Sequence, residues 1–216
     1  PVAGKEYAGQ WLGSDAGGEA FAYFCLAVYT YRTGEPERAA ELLESLAEHS
    51  DVRETDYRLR FVSFAGDLFD AAGDYEAAFR AYSKALDVTR FEPRLWVDRA
   101  LARAALGDFE GTIEDLNLAL ALDADNVEAL VFRGSSYLAV DEWTLAADDA
   151  LQALLIEPFN VSALWLRSQI ALAQGDYELA VRDLERIVER DLGDLGAKAQ
   201  EALSVLSAAN QKSTFE

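Results

Sequence analysis

Gly73-Asp74-Tyr75 is the stretch that decides the fold, because it returns along the chain at a fixed interval. It recurs as Gly107-Asp108-Phe109, Asp141-Glu142-Trp143 and Gly175-Asp176-Tyr177, and each step is 34 residues. An earlier Gly34-Glu35-Pro36 lies 39 residues before Gly73, which indicates the same feature displaced by a five-residue insertion. Self-similarity at a fixed period is typical of a repeat array.

Five windows align on this feature, and each contains two amphipathic stretches. Apolar residues recur at intervals of three and four on both sides of the Gly-Asp turn, which predicts two helices joined as a hairpin. A glycine suits the left-handed end of the first helix, and the carboxylate after it favours the start of the second. The windows are 20–53, 59–92, 93–126, 127–160 and 161–194, with residues 54–58 as the insertion.

The two ends of the chain depart from this pattern. Residues 1–19 contain five glycines and are predicted to form an irregular lead-in. Residues 195–209 predict one amphipathic helix, which would cap the exposed face of the last repeat. The tail, 210–216, is expected to fray. No linker or low-complexity run interrupts residues 20–209, so we expect a single domain there.

Small residues recur where the helices of a hairpin must approach closely. They occupy one position in the first helices (Ala27, Gly66, Ala100, Gly134, Ser168) and one in the second helices (Ala39, Ala78, Thr112, Ala146, Ala180). A large aromatic residue follows most of the turns, although Pro36 takes its place in the first window. This pattern resembles the tetratricopeptide repeat, a 34-residue helix-turn-helix unit. The resemblance covers residues 20–194 and implies an all-α, right-handed superhelical solenoid with a C-terminal capping helix.

Three arginines and three aspartates also recur at the repeat period. Arg99, Arg133 and Arg167 stand on first helices, and Asp115, Asp149 and Asp183 follow each of them by 16 residues on second helices. In the other two repeats both positions are apolar: Ala65 with Ala81, and Leu26 with Leu42. Replacing both partners of a buried pair is often neutral, whereas removing one is costly. The pattern favours structural ion pairs, and a ladder of arginines for an anionic ligand is the alternative.

The resemblance also implies a binding surface, because first helices of tetratricopeptide repeats line a concave groove that holds peptides or extended segments. An apolar surface of this kind favours binding, and coverage by curvature or by the N-terminal lead-in is the alternative. The residues that we expect to line it are Phe64, Asp67, Val97, Asp98, Leu101, Val131, Phe132, Ser135, Trp165, Leu166 and Gln169.

Some family members hold the acidic tails of heat-shock chaperones with a clamp of Lys, Asn and Arg side chains on this face. The corresponding positions here carry Ser63, Asp67, Asp98, Glu128 and Phe132. None of these residues fits the clamp, and the carboxylates among them would repel an acidic tail. The sequence therefore argues against a chaperone-tail adaptor.

The charge and the rare residues exclude several classes of function. A formal net charge of −20 repels phosphate backbones, so nucleic-acid binding is not expected. The negative charge is explained either by a soluble, self-repelling surface or by a basic partner. One histidine, His49, and one cysteine, Cys25, exclude the usual zinc site and leave no convincing nucleophile-base pair. The Asp-rich turn 123–126 lacks the spacing of a calcium loop. We expect neither an enzyme nor a cofactor nor a metal.

The sequence thus predicts a non-catalytic scaffold or adaptor that binds a partner peptide or helix in an apolar concave groove. The alternative is a permanent structural or assembly subunit of a larger complex, conceivably one associated with a membrane. No apolar run is long enough to cross a bilayer. The chain contains no methionine, not even an initiator, which favours a processed or exported form and leaves the compartment open.

Overall fold

The computed structural model describes residues 18–48, 55–190 and 193–213, and within these ranges it contains helices and no strand. The helices follow the predicted pairs and are numbered in chain order: α1 (Gly18–Arg32), α2 (Pro36–Glu48), α3 (Thr55–Ala72), α4 (Tyr75–Val88), α5 (Pro93–Ala105), α6 (Phe109–Leu122), α7 (Val127–Ala139), α8 (Trp143–Ile156), α9 (Val161–Gln174), α10 (Tyr177–Val188) and α11 (Asp194–Ser213). The all-α architecture predicted from the repeat pattern is therefore confirmed.

The chain divides into two compact units between Leu122 and Asp123. In the first unit, each helix from α1 to α6 packs against the next. In the second unit, α7 to α11 do the same, and α9 also contacts α7 and α11. Continuity of one solenoid over 20–209 stays a prediction.

The repeated turn sequence ends the first helix of a hairpin and begins the second. Gly73, for example, has a φ of +81°, a left-handed conformation that residues with a Cβ rarely adopt. The side chain of Asp74 then accepts a hydrogen bond from the backbone N–H of Ala77 at 3.0 Å. Asp108 and Asp176 cap α6 and α10 in the same way. These caps satisfy amide groups that a helix start otherwise leaves unpaired.

Asp141 is the exception, since it holds a φ of +62° at the position where the other turns have glycine. We expect Asp141→Gly to raise the free energy of unfolding by about 0.5–1 kcal/mol, because glycine adopts this conformation without strain. Urea denaturation followed by circular dichroism measures the change, with Gly107→Asp as the reverse control. A loss of stability in Asp141→Gly would show that the aspartate side chain contributes more than the strain costs.

The predicted small residues lie in the tightest parts of the packing. All ten are buried, and those of the second helices are at most 1% exposed. A Cβ placed on Gly134 would lie 3.3 Å from the backbone oxygen of Ala146, so α7 and α8 approach closely at these two positions. One further position of the second helices is completely buried in all five repeats, where it holds Leu46, Ala85, Ala119, Ala153 and Ile187. The small side chains thus set the distance between the helices of each hairpin.

The observed helix boundaries differ from the predicted ones at both ends of the chain. α1 already begins at Gly18, within the expected lead-in. Residues 55–58 of the insertion are helical, because α3 begins at Thr55. The capping helix continues to Ser213 and includes part of the expected tail. The predictions for residues 1–17 and for His49 lie outside the described residues. None of the described helices is long and apolar enough to span a bilayer.

Candidate functional site

The structure brings each of the three arginines together with the aspartate that follows it by 16 residues. Arg99 donates to both oxygens of Asp115 at 2.8 and 2.7 Å. Arg133 reaches Asp149 at 2.9 and 2.6 Å, and Arg167 reaches Asp183 at 2.7 Å twice. The aspartates are 1–4% exposed, so each of these three hairpins contains a forked pair whose carboxylate is shielded from water.

In two of these pairs the environment favours the charged state of the arginine. The hydrogen bonds to the carboxylates raise the pKa of Arg133 and of Arg167 above the ordinary arginine value, against the opposing effect of burial. The guanidinium of Arg99 also stacks over Trp96 at 4.9 Å. Since each guanidinium fork is directed at a carboxylate within its own hairpin, we propose a structural role for the pairs.

Arg103 is a further, half-buried arginine that was not predicted from the sequence. Its guanidinium lies 5.3 Å from the centre of the Phe79 ring, and its Nε lies 3.4 Å from Asp115 Oδ2. Asp115 is thus shared between Arg99 and Arg103, one helical turn apart on α5. The other repeats have no arginine at this position, so the repeat period gave no signal for it.

In the first unit, α3 and α5 together line an open groove of about 290 Å³. Three of the predicted binding residues lie in it: Phe64 and Asp67 from α3 and Asp98 from α5. Leu101 is half-buried further along α5. Val97 is only 2% exposed and packs in the core, so it does not line the surface as expected.

This groove carries charges of both signs. Arg94 lies in it and forms an ion pair with Asp98 at 3.4 Å, and Arg60 is a second basic residue of its lining. Asp67 accepts a hydrogen bond from the Tyr82 hydroxyl at 3.0 Å. Desolvation by burial raises the pKa of the Asp67 carboxyl. Burial, reinforced by the negative charges of Asp67 and Asp98, raises the pKa of Tyr82.

Arg60 and Arg94 were not among the predicted residues, and their charges make the groove less apolar than predicted. The two arginines are 34 residues apart and precede Phe64 and Asp98 by one helical turn. Their spacing by one repeat could have predicted that the two arginines occupy the same position on successive first helices.

In the second unit, the predicted binding residues lie on α7 and α9, which contact each other. Ser135 is exposed, and Phe132, Trp165 and Gln169 are half-buried. Val131 is 8% exposed and Leu166 3%, and Leu166 belongs to a core cluster with Ala146, Ala150 and Ile170. Four of the six predicted residues of this unit are thus accessible from the surface.

The repeats also match a family model. The model described as "Tetratricopeptide repeat" matches residues 65–127, 133–197 and 166–213. This chain belongs to the tetratricopeptide repeat family. Members of that family are typically non-catalytic interaction modules. Comparison with curated protein sequences gives no significant match.

Solved tetratricopeptide repeat structures share the fold. MamA, residues 41 to the end, from Desulfovibrio magneticus RS-1 superposes with a TM-score of 0.69 at 16% identity, covering 81% of this chain and 96% of that one. The first tetratricopeptide repeat domain of Spaghetti (RPAP3) bound to the HSP90 peptide SRMEEVD gives a TM-score of 0.53 at 28% identity, covering 54% and 93%. The Arabidopsis OM64 tetratricopeptide repeat domain gives a TM-score of 0.54 at 22% identity, covering 56% of this chain and 99% of that one.

The described residues contain no group of three or more side chains that could hold a metal ion. Cys25 is half-buried in α1.

Proposed function

We propose that this tetratricopeptide repeat protein is a protein-interaction scaffold that holds a segment of a partner against the faces of its first helices. The observation that carries the proposal is the groove between α3 and α5. There an aromatic side chain, Phe64, is surrounded by accessible groups of both charges. Grooves with a few apolar contacts and converging polar groups are the usual binding surfaces of such modules.

The lining indicates the chemistry of the partner segment. Phe64 offers an apolar contact, whereas Asp67, Asp98, Arg60 and Arg94 offer both hydrogen-bond acceptors and donors. A segment with an apolar side chain flanked by charged or polar residues complements this arrangement, because mismatched charges at an interface are strongly disfavoured. Binding of this kind is also consistent with the half-buried aromatic residues Phe132 and Trp165 in the second unit.

An acidic chaperone tail does not fit the same groove. The Spaghetti (RPAP3) domain binds the peptide SRMEEVD, which has two glutamates and an aspartate. The groove of this chain holds Asp67 and Asp98 beside Arg60 and Arg94. The family resemblance places these two aspartates where a carboxylate clamp needs cations. We therefore use SRMEEVD as a negative control.

Peptides selected from a displayed random library on the immobilised full chain give a direct test. We expect Phe64→Ala to weaken binding of the selected peptide by at least about tenfold, as truncation of a central aromatic contact commonly does. The affinity is measured by fluorescence anisotropy, after the variant has been shown to keep its helical circular dichroism and its melting temperature.

Tyr75→Ala is the matched control, because Tyr75 is a partly exposed aromatic residue of the same unit on the second helix α4. It should change the affinity less than twofold. If Phe64→Ala and Tyr75→Ala bind equally well, the first-helix groove is not the site. If SRMEEVD competes with the selected peptide, the partner segment does not have the chemistry that we propose.

A further inference from the structure

A different surface, the outward face of α8, carries two leucines that the fold does not bury. Leu151 is 49% exposed and Leu155 is 82% exposed. They are four residues apart on one helix and therefore lie next to each other on the same face. The opposite face of α8 is the one that packs in the core, through Ala146, Ala150 and Ala153.

Comparison among the repeats shows that these leucines are not part of the repeat pattern. The position of Leu151 carries Glu44, Ser83, Asn117 and Glu185 in the other second helices, and the position of Leu155 carries Glu48, Asp87, Ala121 and Glu189. The hairpins thus form with polar or small residues at both positions. Neither packing nor helix formation requires leucine here, so exposed leucines at these positions point to a contact with another molecule.

The surroundings of the two leucines are strongly acidic. Along the chain, residues 123–157 contain eight carboxylates and one basic residue, Arg133, whose guanidinium is held by Asp149. Two further arginines, Arg186 and Arg190 of the last hairpin, lie against the ring of Phe159, just beyond the end of α8. Asp148 is exposed on the same face, one turn before Leu151 and two turns before Leu155.

Two further elements bring carboxylates to the rim of this face. Gln152 donates to the backbone oxygen of Ala124 at 3.4 Å, which places the turn with Asp123 and Asp125 beside α8. Glu157 follows the end of the helix. The apolar pair therefore lies within a field of negative charge.

We propose that the outward face of α8 is a docking site for a basic amphipathic helix of a partner protein. Apolar side chains at i and i+4 of that helix would pack on Leu151 and Leu155, while its lysines or arginines face Asp148 and the neighbouring carboxylates. A second copy of this chain is a poorer occupant, because it would bring the same negative region against itself.

The probe for this site is a synthetic 18-residue helical peptide with leucines on one face and lysines on the other, labelled with fluorescein. Its affinity for the full chain is measured by anisotropy. We expect the double variant Leu151→Asn, Leu155→Ala to bind at least about tenfold more weakly. At these two positions the variant has the residues of α6, Asn117 and Ala121, and its net charge is unchanged. Raising the salt from 50 to 500 mM should weaken binding to the unchanged protein, since the charges are exposed.

The matched control removes charge at the two corresponding positions of the next repeat. Glu185→Gln, Glu189→Gln on α10 should change the affinity by less than twofold. Phe64→Ala should likewise leave it unchanged, which separates this site from the first-helix groove. A peptide of the same composition with the leucine spacing scrambled should bind markedly less well.

Three results would overturn the proposal. The amphipathic peptide could fail to bind. The Leu151→Asn, Leu155→Ala variant could lose no more affinity than the Glu185→Gln, Glu189→Gln control, which would indicate attraction by net charge alone. Sedimentation could show a dimer of the unchanged protein that the leucine variant dissociates, which would assign this face to a second copy.

Discussion

Replacing Arg133 by leucine is expected to lower the free energy of unfolding by about 3–5 kcal/mol, because it leaves a buried carboxylate without its partner. Asp149 is only 4% exposed and receives both of its strong hydrogen bonds from this guanidinium. Urea denaturation followed by far-ultraviolet circular dichroism measures the loss. Arg182→Leu is a control on an exposed arginine of α10 and should change stability by less than about 1 kcal/mol.

Adding Asp149→Leu to Arg133→Leu should recover much of the loss. The corresponding positions of the second repeat hold Ala65 and Ala81, both completely buried, so a hairpin of this kind forms without any charge there. Replacement of both partners by apolar residues is often neutral, since the cost of desolvating two charges disappears with them. A double variant no more stable than Arg133→Leu would mean that the two side chains do not act as a pair.

These pairs could be predicted from the sequence because the repeats act as an internal comparison. Arg99 and Asp115 are present together, and Ala65 and Ala81 replace both together, so one chain contains the evidence that the two positions face each other. The turns could be predicted for a related reason. Glycine followed by a capping carboxylate has local requirements that do not depend on the rest of the fold.

The binding surface was harder to predict, because each first helix contacts neighbours on more than one side. α9 contacts α7, α8, α10 and α11, and only Ser162, Ala173 and Gln174 among its residues are exposed. Leu166 and Val131 were expected at the surface, but the neighbouring helices bury them. Periodicity identifies which residues share a face, but the width of the accessible strip depends on the neighbouring helices.

The acidic residues of the groove, Asp67 and Asp98, were predicted, but its two arginines were not, although the sequence contained a signal for them. Arg60 and Arg94 recur at the repeat period on the same helical face as Phe64 and Asp98. The exposed leucines of α8 give the opposite lesson. Leu151 and Leu155 become conspicuous only when their exposure is known, since isolated leucines in a helix usually indicate core.

Ala146→Leu is expected to lower the free energy of unfolding by about 3 kcal/mol, since it adds three carbon atoms where two helices touch. Ala146 is completely buried, and its backbone oxygen lies close to the position that a Cβ of Gly134 would occupy. A leucine there must separate α7 from α8. The same movement would stretch the forked hydrogen bonds between Arg133 and Asp149, which also join these two helices.

Ala173→Leu is the matched control, because Ala173 is exposed on α9 and leucine forms helices almost as well as alanine. It should alter stability by less than about 0.5 kcal/mol. If Ala146→Leu stays within about 1 kcal/mol of the unchanged protein, the interface between α7 and α8 can accept a larger side chain. The recurring small residues would then reflect helix propensity and not a required distance between helices, and the same test at Ala78 would show whether this holds in the first unit.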